Sequence, residues 1–393
     1  MDIRKRVNEI FQELVNIRRD FHMHPELSEK EYKTAESICS YLDKWGIEYK
    51  RNVAETGVVA IIRGKEGGRT VAARADIDAL PVVELNDLPF KSRNEGVMHA
   101  CGHDIHTTIH LGVARLFKEM EDEFKGNVKI FFQPAEETIG GAKRMIEEGC
   151  LKNPDVDYIL SLHVMPYLEV GEIEIKYGKL NAATNEFTIK VNGKSSHAAY
   201  PEQSVDSVVV AGYIITALQT LVSRNISPLN SVVLTLGKIN GGTKNNVISG
   251  EVTMSGTLRT LDENTRQYAK ERVKEIVENT AKAYGATATV EFEEGYPALI
   301  NDYEVVDILK EKAESILGTD KVKFKEFPSM GADDFSFFLQ RAKGAYYNLG
   351  CGNKEKGWTA PIHSSNFIAD EESIKVGVIL QVETLLELLK IHY

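Results

Sequence analysis

Short apolar runs separated by helical patterns limit the folds open to this chain of 393 residues. The runs are rich in β-branched and aromatic residues, and apolar residues recur at helical spacing between them, as at 105–120 and 141–148. Strands that are apolar almost throughout are typical of parallel sheets covered by helices on both faces. We therefore predict an α/β layer with a mostly parallel central sheet, whose strands include residues 58–62, 70–75, 128–132 and 158–163.

The pattern changes near Asn185, where six elements follow in the order strand, helix, strand, strand, helix, strand. This βαββαβ order is that of an α+β ferredoxin-like unit. The α/β alternation resumes after Pro297. We therefore expect a larger α/β domain formed by residues 1–182 and 295–393, and a smaller domain inserted at residues 183–294.

Composition excludes several classes of partner and location. The 47 basic and 58 acidic residues give a net charge of −11, which opposes binding to a phosphate backbone or an anionic membrane. The longest uncharged run, 207–223, is interpreted as a buried helix rather than a bilayer span. The four scattered cysteines are read as reduced thiols, and the first residues lack an export-signal pattern, so a cytoplasmic location is expected. We expect no nucleic acid and no membrane among the partners.

Histidine placement carries the strongest functional signal. Residues 98–106 read MHACGHDIH, and this segment precedes a predicted helix. Cys101 and His103, two positions apart on a loop, can both face one cation. Taken alone, the segment also fits solvated loop histidines.

Three further segments favour a metal site. FQPAEE leaves a predicted strand at Glu136 and Glu137, SLHV ends the next strand at His163, and PIHSS places His363 in a loop near the C-terminus. Adjacent glutamates point in different directions, so one can bind a metal while the other moves protons. A glutamate pair is by itself more often a solvated surface charge, but the apolar strand and Pro134 before it favour a site at one edge of the sheet.

These motifs resemble the aminoacylase and hippurate-hydrolase-like branch (M20D) of the M20 metallopeptidase family, whose members are amidohydrolases that cleave N-acyl amino acids. The shared motifs follow family order over nearly the whole chain. They are RADIDALP (74–81), MHACGHDIHT (98–107), FQPAEE (132–137), LHV (162–164), SSHAAYP (195–201), NNVISG (245–250), SGTLRT (255–260), MGADDFSFF (330–338) and PIHS (361–364).

The resemblance implies two divalent metal ions per subunit that share a bridging water. Glu136 would be the general base that takes a proton from this water and delivers it to the leaving amine, and Asp76 would lie behind the metals and orient a ligand. Because a thiolate is a soft ligand, Zn²⁺, Mn²⁺, Ni²⁺ or Co²⁺ is favoured over Mg²⁺ or Ca²⁺. The implied metal ligands are Cys101, His103, Glu137, His163 and His363.

The resemblance also assigns a role to the inserted domain. In the family this domain mediates dimerisation, and a histidine, here His197, reaches the neighbouring subunit's active site to stabilise the oxyanion. Asn246, Arg259 and the backbone of Gly331 fall where the family binds the substrate's carboxylate, and a guanidinium suits a carboxylate in a bidentate contact. We therefore expect a homodimer or a homo-oligomer built from dimers. One departure is Arg74, which stands where many wider relatives carry a histidine ligand.

The resemblance implies a metal-dependent amidohydrolase. Its substrates would be N-acyl-L-amino acids with an acetyl or aromatic acyl group, and its products a carboxylic acid and a free amino acid. The alternatives are a metallo-carboxypeptidase or dipeptidase and an N-acetyl-diaminopimelate deacetylase. Two weaker alternatives are a nucleophilic hydrolase using Cys101 and His103, and a binding protein that keeps the fold without activity.

Overall fold

The chain divides into two compact units. A computed structural model describes residues 1–390. The first unit comprises Met1–Gly178, Ile300–Phe327 and the residues from Asp334 onward, and the second comprises Lys179–Leu299 and Pro328–Asp333. Both predicted domain boundaries therefore differ by a few residues from the observed ones, and residues 391–393 of the predicted larger domain lie outside the described residues.

The short segment Pro328–Asp333 explains part of this difference. It runs beside residues 180–182 and shares backbone hydrogen bonds with them. The Ser329 amide donates to the Leu180 carbonyl at 2.8 Å, and the Ala182 amide donates to the Gly331 carbonyl at 2.9 Å. A segment far away in sequence thus joins the second unit, which strand periodicity within 183–294 does not reveal.

The helices fall where apolar residues recur at helical spacing, and four of them begin at an aspartate whose side chain accepts backbone amide hydrogens. In chain order, α1 to α9 are Ile3–Met23, Tyr32–Lys44, His103–Glu119, Ala142–Glu147, Ser207–Thr220, Glu263–Ala283, Tyr303–Leu317, Ser336–Leu339 and Glu372–Leu388.

The strands are richest in β-branched and apolar residues at the centres of the sheets. In chain order, β1 to β16 are Glu48–Val53, Gly57–Arg63, Lys65–Asp76, Lys125–Gln133, Tyr158–Glu169, Ile173–Ile175, Gly178–Asn181, Ala183–Asn192, Ser196–His197, Val232–Gly241, Val247–Ile248, Glu251–Thr260, Thr287–Phe292, Leu299–Asn301, Val322–Phe324 and Lys343–Gly352.

The first unit contains an eight-stranded sheet in the order β1-β2-β4-β3-β5-β16-β6-β15. The pairs β4–β3, β3–β5, β5–β16 and β6–β15 are parallel, whereas β1–β2, β2–β4 and β6–β16 are antiparallel. The predicted α/β fold with a mostly parallel sheet is confirmed. The prediction that β5 ends at His163 is wrong, because Val164 and Met165 still pair with β16.

The second unit contains a four-stranded antiparallel sheet in the order β10-β12-β8-β13. Its elements β8, α5, β10, β12, α6 and β13 follow the βαββαβ order of a ferredoxin-like unit, as the sequence predicts. A separate apolar core lies in this unit and includes Phe187, Ile214 and Val273.

The interpretation of residues 207–223 as a buried helix is wrong in part. Helix α5 continues as a π-helical turn at Leu221–Asn225, and only 33% of its most apolar window is buried. One face packs in the core, whereas Val208, Val209 and Tyr213 on the other face are exposed. By length and composition alone this helix meets the criteria for a membrane span. One such helix is weak evidence that a protein crosses a membrane.

Candidate metal centre

Three neighbouring parallel strands bring four of the predicted site residues to one edge of the sheet. Asp76 is the last residue of β3, and Glu136 and Glu137 follow the end of β4. His163 lies within β5, on the other side of β3. Because the carboxyl ends of parallel strands meet at the same edge, residues distant in sequence become neighbours there.

Gly102 shapes the loop that carries Cys101 and His103. Its φ of 86° lies in the left-handed region, and a Cβ atom on it would lie 2.3 Å from Cγ2 of Val164. Glycine alone fits both the backbone conformation and the available space. The chain therefore turns sharply after Cys101, and α3 begins at His103 beside β5.

The side chains of the five predicted metal ligands converge. The Sγ atom of Cys101 lies 3.2 Å from Nε2 of His163 and 3.3 Å from Nε2 of His363. Oε1 of Glu137 lies 3.3 Å from Nε2 of His363 and 3.8 Å from Nε2 of His103. Such spacing between side-chain ligand atoms suits shared coordination of metal ions.

The chemistry of these atoms fits a metal. Nε2 of His103 and Oε1 of Glu137 are buried and have no hydrogen-bond partner within residues 1–390. The opposite ring nitrogens are occupied, since Nδ1 of His103 donates to the Asp78 carbonyl at 2.9 Å and Nδ1 of His163 donates to the Val164 carbonyl at 2.8 Å. Such backbone contacts fix the tautomer and direct the Nε2 lone pair toward a cation.

The electrostatics of the cluster also favour a bound cation. Burial raises the pKa of the Cys101 thiol well above its usual range, and the nearby Glu137 and Glu136 carboxylates raise it further. Burial alone would lower the pKa of His103, but the carboxylates of Asp76 and Asp78 raise it to about 10. The cluster thus holds an excess of negative charge, which argues against a reactive thiolate in the absence of a metal.

The two carboxylate oxygens of Asp76 contact different residues, Oδ1 contacting His106 and Oδ2 accepting from Arg74. Its Oδ1 lies 2.5 Å from Nδ1 of His106, whose Nε2 accepts the Val164 amide hydrogen at 2.9 Å. Burial lowers the pKa of His106 to about 3, so this imidazole is neutral. Asp76 therefore supports the backbone next to His163, while its Oδ2 stays 3.8 Å from Nε2 of His103.

Asp78 is a site residue that sequence reasoning missed. Besides accepting from His103 through its carbonyl, it accepts the Glu137 amide hydrogen at 3.0 Å and the Ser28 hydroxyl hydrogen at 2.7 Å on Oδ2. The sequence did indicate Asp78 as a candidate, because it lies two residues after Asp76 in the shared motif RADIDALP. Its partners, however, come from three separate parts of the chain.

Arg74 holds carboxylates, at the position where wider relatives carry a histidine ligand. Its fully buried guanidinium donates to Asp76 at 2.7 Å, Gln133 at 2.8 Å and Asp334 at 2.9 Å. The Asp334 carboxylate also accepts the Ala142 amide hydrogen at 2.9 Å. Asp334 thus joins Arg74 to Gln133 at the end of β4 and to the start of α4.

The remaining four predicted site residues lie in the second unit. His197 is exposed on β9 and pairs with Val247 of β11. The Ala198 amide donates to the Asn246 carbonyl, so the backbones of His197 and Asn246 lie close together. Arg259 lies on β12, and Gly331 lies in Pro328–Asp333. Their roles toward substrate stay predictions.

Comparison with known proteins identifies the family. The model of peptidase family M20/M25/M40 matches residues 72–387, and the chain belongs to this family. It is a hydrolase that acts on amide bonds, as its sequence predicts.

Individual relatives are similar over almost the full length. The chain is 41% identical over 377 residues to a thermostable carboxypeptidase from Saccharolobus solfataricus, covering 95% of this chain and 94% of the relative. It is 39% identical over 366 residues to an N-acetyl-L-cysteine deacetylase from Bacillus subtilis, covering 92% of this chain and 85% of the relative. The crystal structure of a dinuclear metal-binding M20 peptidase from Bacillus subtilis matches with a TM-score of 0.85 at 34% identity, covering 98% of this chain and 99% of that one.

Proposed function

We propose that this protein hydrolyses N-acyl-L-amino acids to a carboxylic acid and a free amino acid. The observation that carries this proposal is the convergence of the predicted metal ligands beside Glu136. Ligand atoms of His103, Glu136 and Glu137 lie within 4.8 Å of one another, as do those of Cys101, Glu137 and His363. A potential general base thus lies next to a cluster that fits divalent cations.

The cofactor in this proposal is a pair of divalent ions, namely Zn²⁺, Mn²⁺, Ni²⁺ or Co²⁺. A thiolate among the ligands favours these ions over Mg²⁺ or Ca²⁺. The dinuclear metal site of the Bacillus subtilis peptidase supports a pair. When bound, such ions supply Lewis acidity, which lowers the pKa of water and polarises a carbonyl group. The ions would be held by Cys101, His103, Glu137, His163 and His363.

Glu136 is the proposed proton carrier. It follows Ala135, whose positive φ of 56° turns the chain sharply at the end of β4, and its side chain is partly buried. A carboxylate in this place can take a proton from a water nucleophile and later give it to the leaving amine. The hydrogen bonds of Asp76 and Asp78 keep the neighbouring ligands oriented while the proton moves.

The proposed substrate carries a free α-carboxylate. Arg259 and Asn246, with the backbone of Gly331, would bind this group, and His197 would stabilise the oxyanion. The deacetylase relative supports an acylated amino acid as substrate. The carboxypeptidase relative supports a second candidate function, cleavage of a C-terminal amino acid from a peptide, which uses the same carboxylate contact.

We also propose that the protein forms a homodimer through its second unit. The exposed face of α5 carries Val208, Val209 and Tyr213, each about half exposed at 49%, 49% and 50%. The neighbouring strand β10 forms one edge of the four-stranded sheet and exposes Ile239. Apolar surface beside an unpaired strand edge is typical of a protein interface.

The test is a hydrolysis panel on metal-stripped protein reloaded with Mn²⁺, Zn²⁺, Ni²⁺ or Co²⁺. The panel varies the acyl group and the amino acid, and includes dipeptides and substrates without an α-carboxylate. We expect Glu136→Gln to lower kcat by about 100- to 10,000-fold, because the proton carrier is lost. The matched control is Glu147→Gln, an exposed carboxylate on α4.

Several outcomes would contradict the proposal. Undiminished turnover by Glu136→Gln would remove the general-base assignment. Equal rates on substrates without the α-carboxylate would remove the role of Arg259. Faster cleavage of dipeptides than of every N-acyl amino acid would favour the carboxypeptidase function instead.

A further inference from the structure

We propose that Glu31 is a positioning residue for Glu136 and acts through the backbone of Ala135. This proposal rests on the function proposed above, because it requires Glu136 to be the proton carrier. Glu31 immediately precedes α2 and lies 104 positions before Ala135 in the sequence. It therefore belongs to none of the segments that carry the predicted site residues.

The contacts of Glu31 are specific and buried. Its Oε1 accepts the Ala135 amide hydrogen at 2.9 Å, and its Oε2 accepts the Thr56 hydroxyl hydrogen at 2.8 Å. The residue is fully buried, with 0% exposure. Both partners donate to the carboxylate, so the ionised side chain has a hydrogen bond on each oxygen.

Ala135 needs such an anchor because its backbone is strained. Its φ of 56° lies in the left-handed region, which residues with a Cβ atom rarely adopt. The turn is closed on its other side by a hydrogen bond of 2.9 Å from the Gly140 amide to the Ala135 carbonyl. The conformation of Ala135 sets the direction in which the chain leaves β4, and therefore the position of Glu136.

The residue on the other side of Glu136 is anchored from the same N-terminal region. The Glu137 amide donates to Asp78 at 3.0 Å, and Asp78 accepts the Ser28 hydroxyl hydrogen at 2.7 Å. The stretch that precedes α2 thus reaches both neighbours of Glu136, through Glu31 directly and through Ser28 indirectly. This arrangement fixes the peptide of Glu136 from two sides.

Burying a carboxylate costs more desolvation free energy than burying a neutral side chain that accepts a hydrogen bond from the same donor. Burial raises the pKa of Glu31 above its ordinary value, since the charged form is poorly solvated there, and the Asp78 carboxylate adds to the effect. A glutamine would satisfy the Ala135 amide at a lower desolvation cost. Strain and unfavourable burial next to a reactive group are typical of positions kept for activity rather than for stability.

The experiment compares Glu31→Ala, Glu31→Gln, Ala135→Gly and the double variant Glu31→Ala with Ala135→Gly, using the best substrate of the panel and metal-loaded full-length protein. We expect Glu31→Ala to lower kcat by about 30- to 100-fold with KM within about twofold, because a displaced Glu136 moves protons poorly without weakening substrate binding. Glu31→Gln keeps an acceptor for Ala135 and should lose less than about tenfold.

The decisive variant is the double one. Glycine adopts a positive φ without strain, so Ala135→Gly should restore at least about tenfold of the kcat lost in Glu31→Ala, although the hydrogen bond stays absent. Ala135→Gly alone should remain within about threefold of the wild type. The matched control is Glu36→Gln, an exposed carboxylate on α2, which should leave kcat and KM unchanged.

Each result supports or overturns the proposal. A kcat of Glu31→Ala within about twofold of the wild type, a rise in KM with unchanged kcat, or no recovery in the double variant would each overturn it. If Glu31→Ala does not fold, Glu31→Met, which fills the buried space but accepts no hydrogen bond from the Ala135 amide, carries the same comparison with and without Ala135→Gly. A wild type inert on the whole panel would instead refute the proposed function, so the two failures remain distinguishable.

Discussion

Three residues with unusual backbone conformations lie at or beside the proposed metal ligands and base. Gly102, Ala135 and His363 all have positive φ angles, of 86°, 56° and 64°. Such conformations cost about 1 to 3 kcal/mol for residues with a Cβ atom, and they persist where surrounding contacts hold them. The His363 amide donates to the Ala100 carbonyl at 2.8 Å, which ties the last predicted ligand to the loop of Cys101.

The substitution Gly102→Ala tests how strongly the site depends on one residue. The new Cβ atom would lie 2.3 Å from Cγ2 of Val164, and an alanine at residue 102 would also be strained by the positive φ of 86°. We expect the free energy of unfolding to fall by about 2 to 4 kcal/mol, together with weaker metal binding, because His103 shifts away from β5. Thermal unfolding and metal titration measure the two effects.

A matched glycine provides the control for this substitution. Gly212 lies within α5, and a Cβ atom there meets nothing within 4 Å. Gly212→Ala should therefore leave stability unchanged or raise it by about 1 kcal/mol, because alanine favours helices. Equal changes in the free energy of unfolding for Gly102→Ala and Gly212→Ala would show that contact with Val164 does not prevent a larger residue at position 102.

Sequence motifs predicted the residues that converge on the metal site better than the residues that support them. Cys101, His103 and Glu137 lie in short segments whose residue types already indicate metal chemistry. Glu31 lies in a segment that looks ordinary, and Asp334 lies in the motif MGADDFSFF without a contact that its sequence position indicates. The two residues reach the site through contacts across 104 and 260 residues of chain. Such supporting contacts depend on the tertiary fold and leave no local pattern.

At the level of elements, a buried ionic network joins α1 to the start of α3. Arg18 and His22 of α1 lie one helical turn apart and both contact Asp104, whose Oδ2 is 2.9 Å from Nε of Arg18 and 2.7 Å from Nδ1 of His22. His22 also contacts Glu84 at 3.2 Å. Since α3 begins at His103, this network fixes the helix that carries a predicted metal ligand.

The substitution Asp104→Asn should make α1 and α3 separate more easily. Burial alone would raise the pKa of Asp104, but Arg18 and His22 lower it far below its usual range. Breaking a buried ionic network by removing one partner costs about 3 to 5 kcal/mol. We expect the free energy of unfolding to fall by this amount at pH 7, measured by urea unfolding, whereas Asp20→Asn, which changes a half-exposed side chain on α1, should have little effect.

The same network predicts a pH dependence. Because the pKa of Asp104 is lower in the folded state, its stabilisation is fully present above the unfolded pKa of about 3.9 and is lost as the pH falls through the lowered folded value. The stability gap between wild type and Asp104→Asn should therefore narrow below about pH 4. A gap that stays constant between pH 7 and pH 2.5 would contradict the assignment.

The sequence predicted elements well where one periodicity dominates. The sequence pattern predicts a strand at 287–292 and helices at 263–284 and 371–389, and β13, α6 and α9 lie within one residue of these bounds. The strand β1 was missed, because Glu48–Val53 is an edge strand with mostly exposed polar residues. The length of β5 was also underestimated, since Pro166 interrupts an otherwise regular strand pattern.

At the scale of the whole molecule, each unit has a core of its own. One apolar cluster lies entirely in the first unit, and another lies entirely in the second. All five predicted metal ligands belong to the first unit. The chain therefore combines one part that carries all five predicted metal ligands with a second part, formed by Lys179–Leu299 and Pro328–Asp333, that carries none of them.

Metal removal should consequently affect the two units differently. A ligand that binds only the folded state stabilises it by about 4 kcal/mol at a free concentration 1,000 times its Kd, which raises the midpoint of a unit of this size by about 5 to 10 °C. In differential scanning calorimetry of the full chain, we expect chelation to lower one transition by this amount and to leave the other in place. Glu137→Gln and His363→Ala should abolish the shift on adding Mn²⁺, whereas Glu147→Gln should retain it. A single transition that moves as a whole on chelation would show instead that the two cores unfold together.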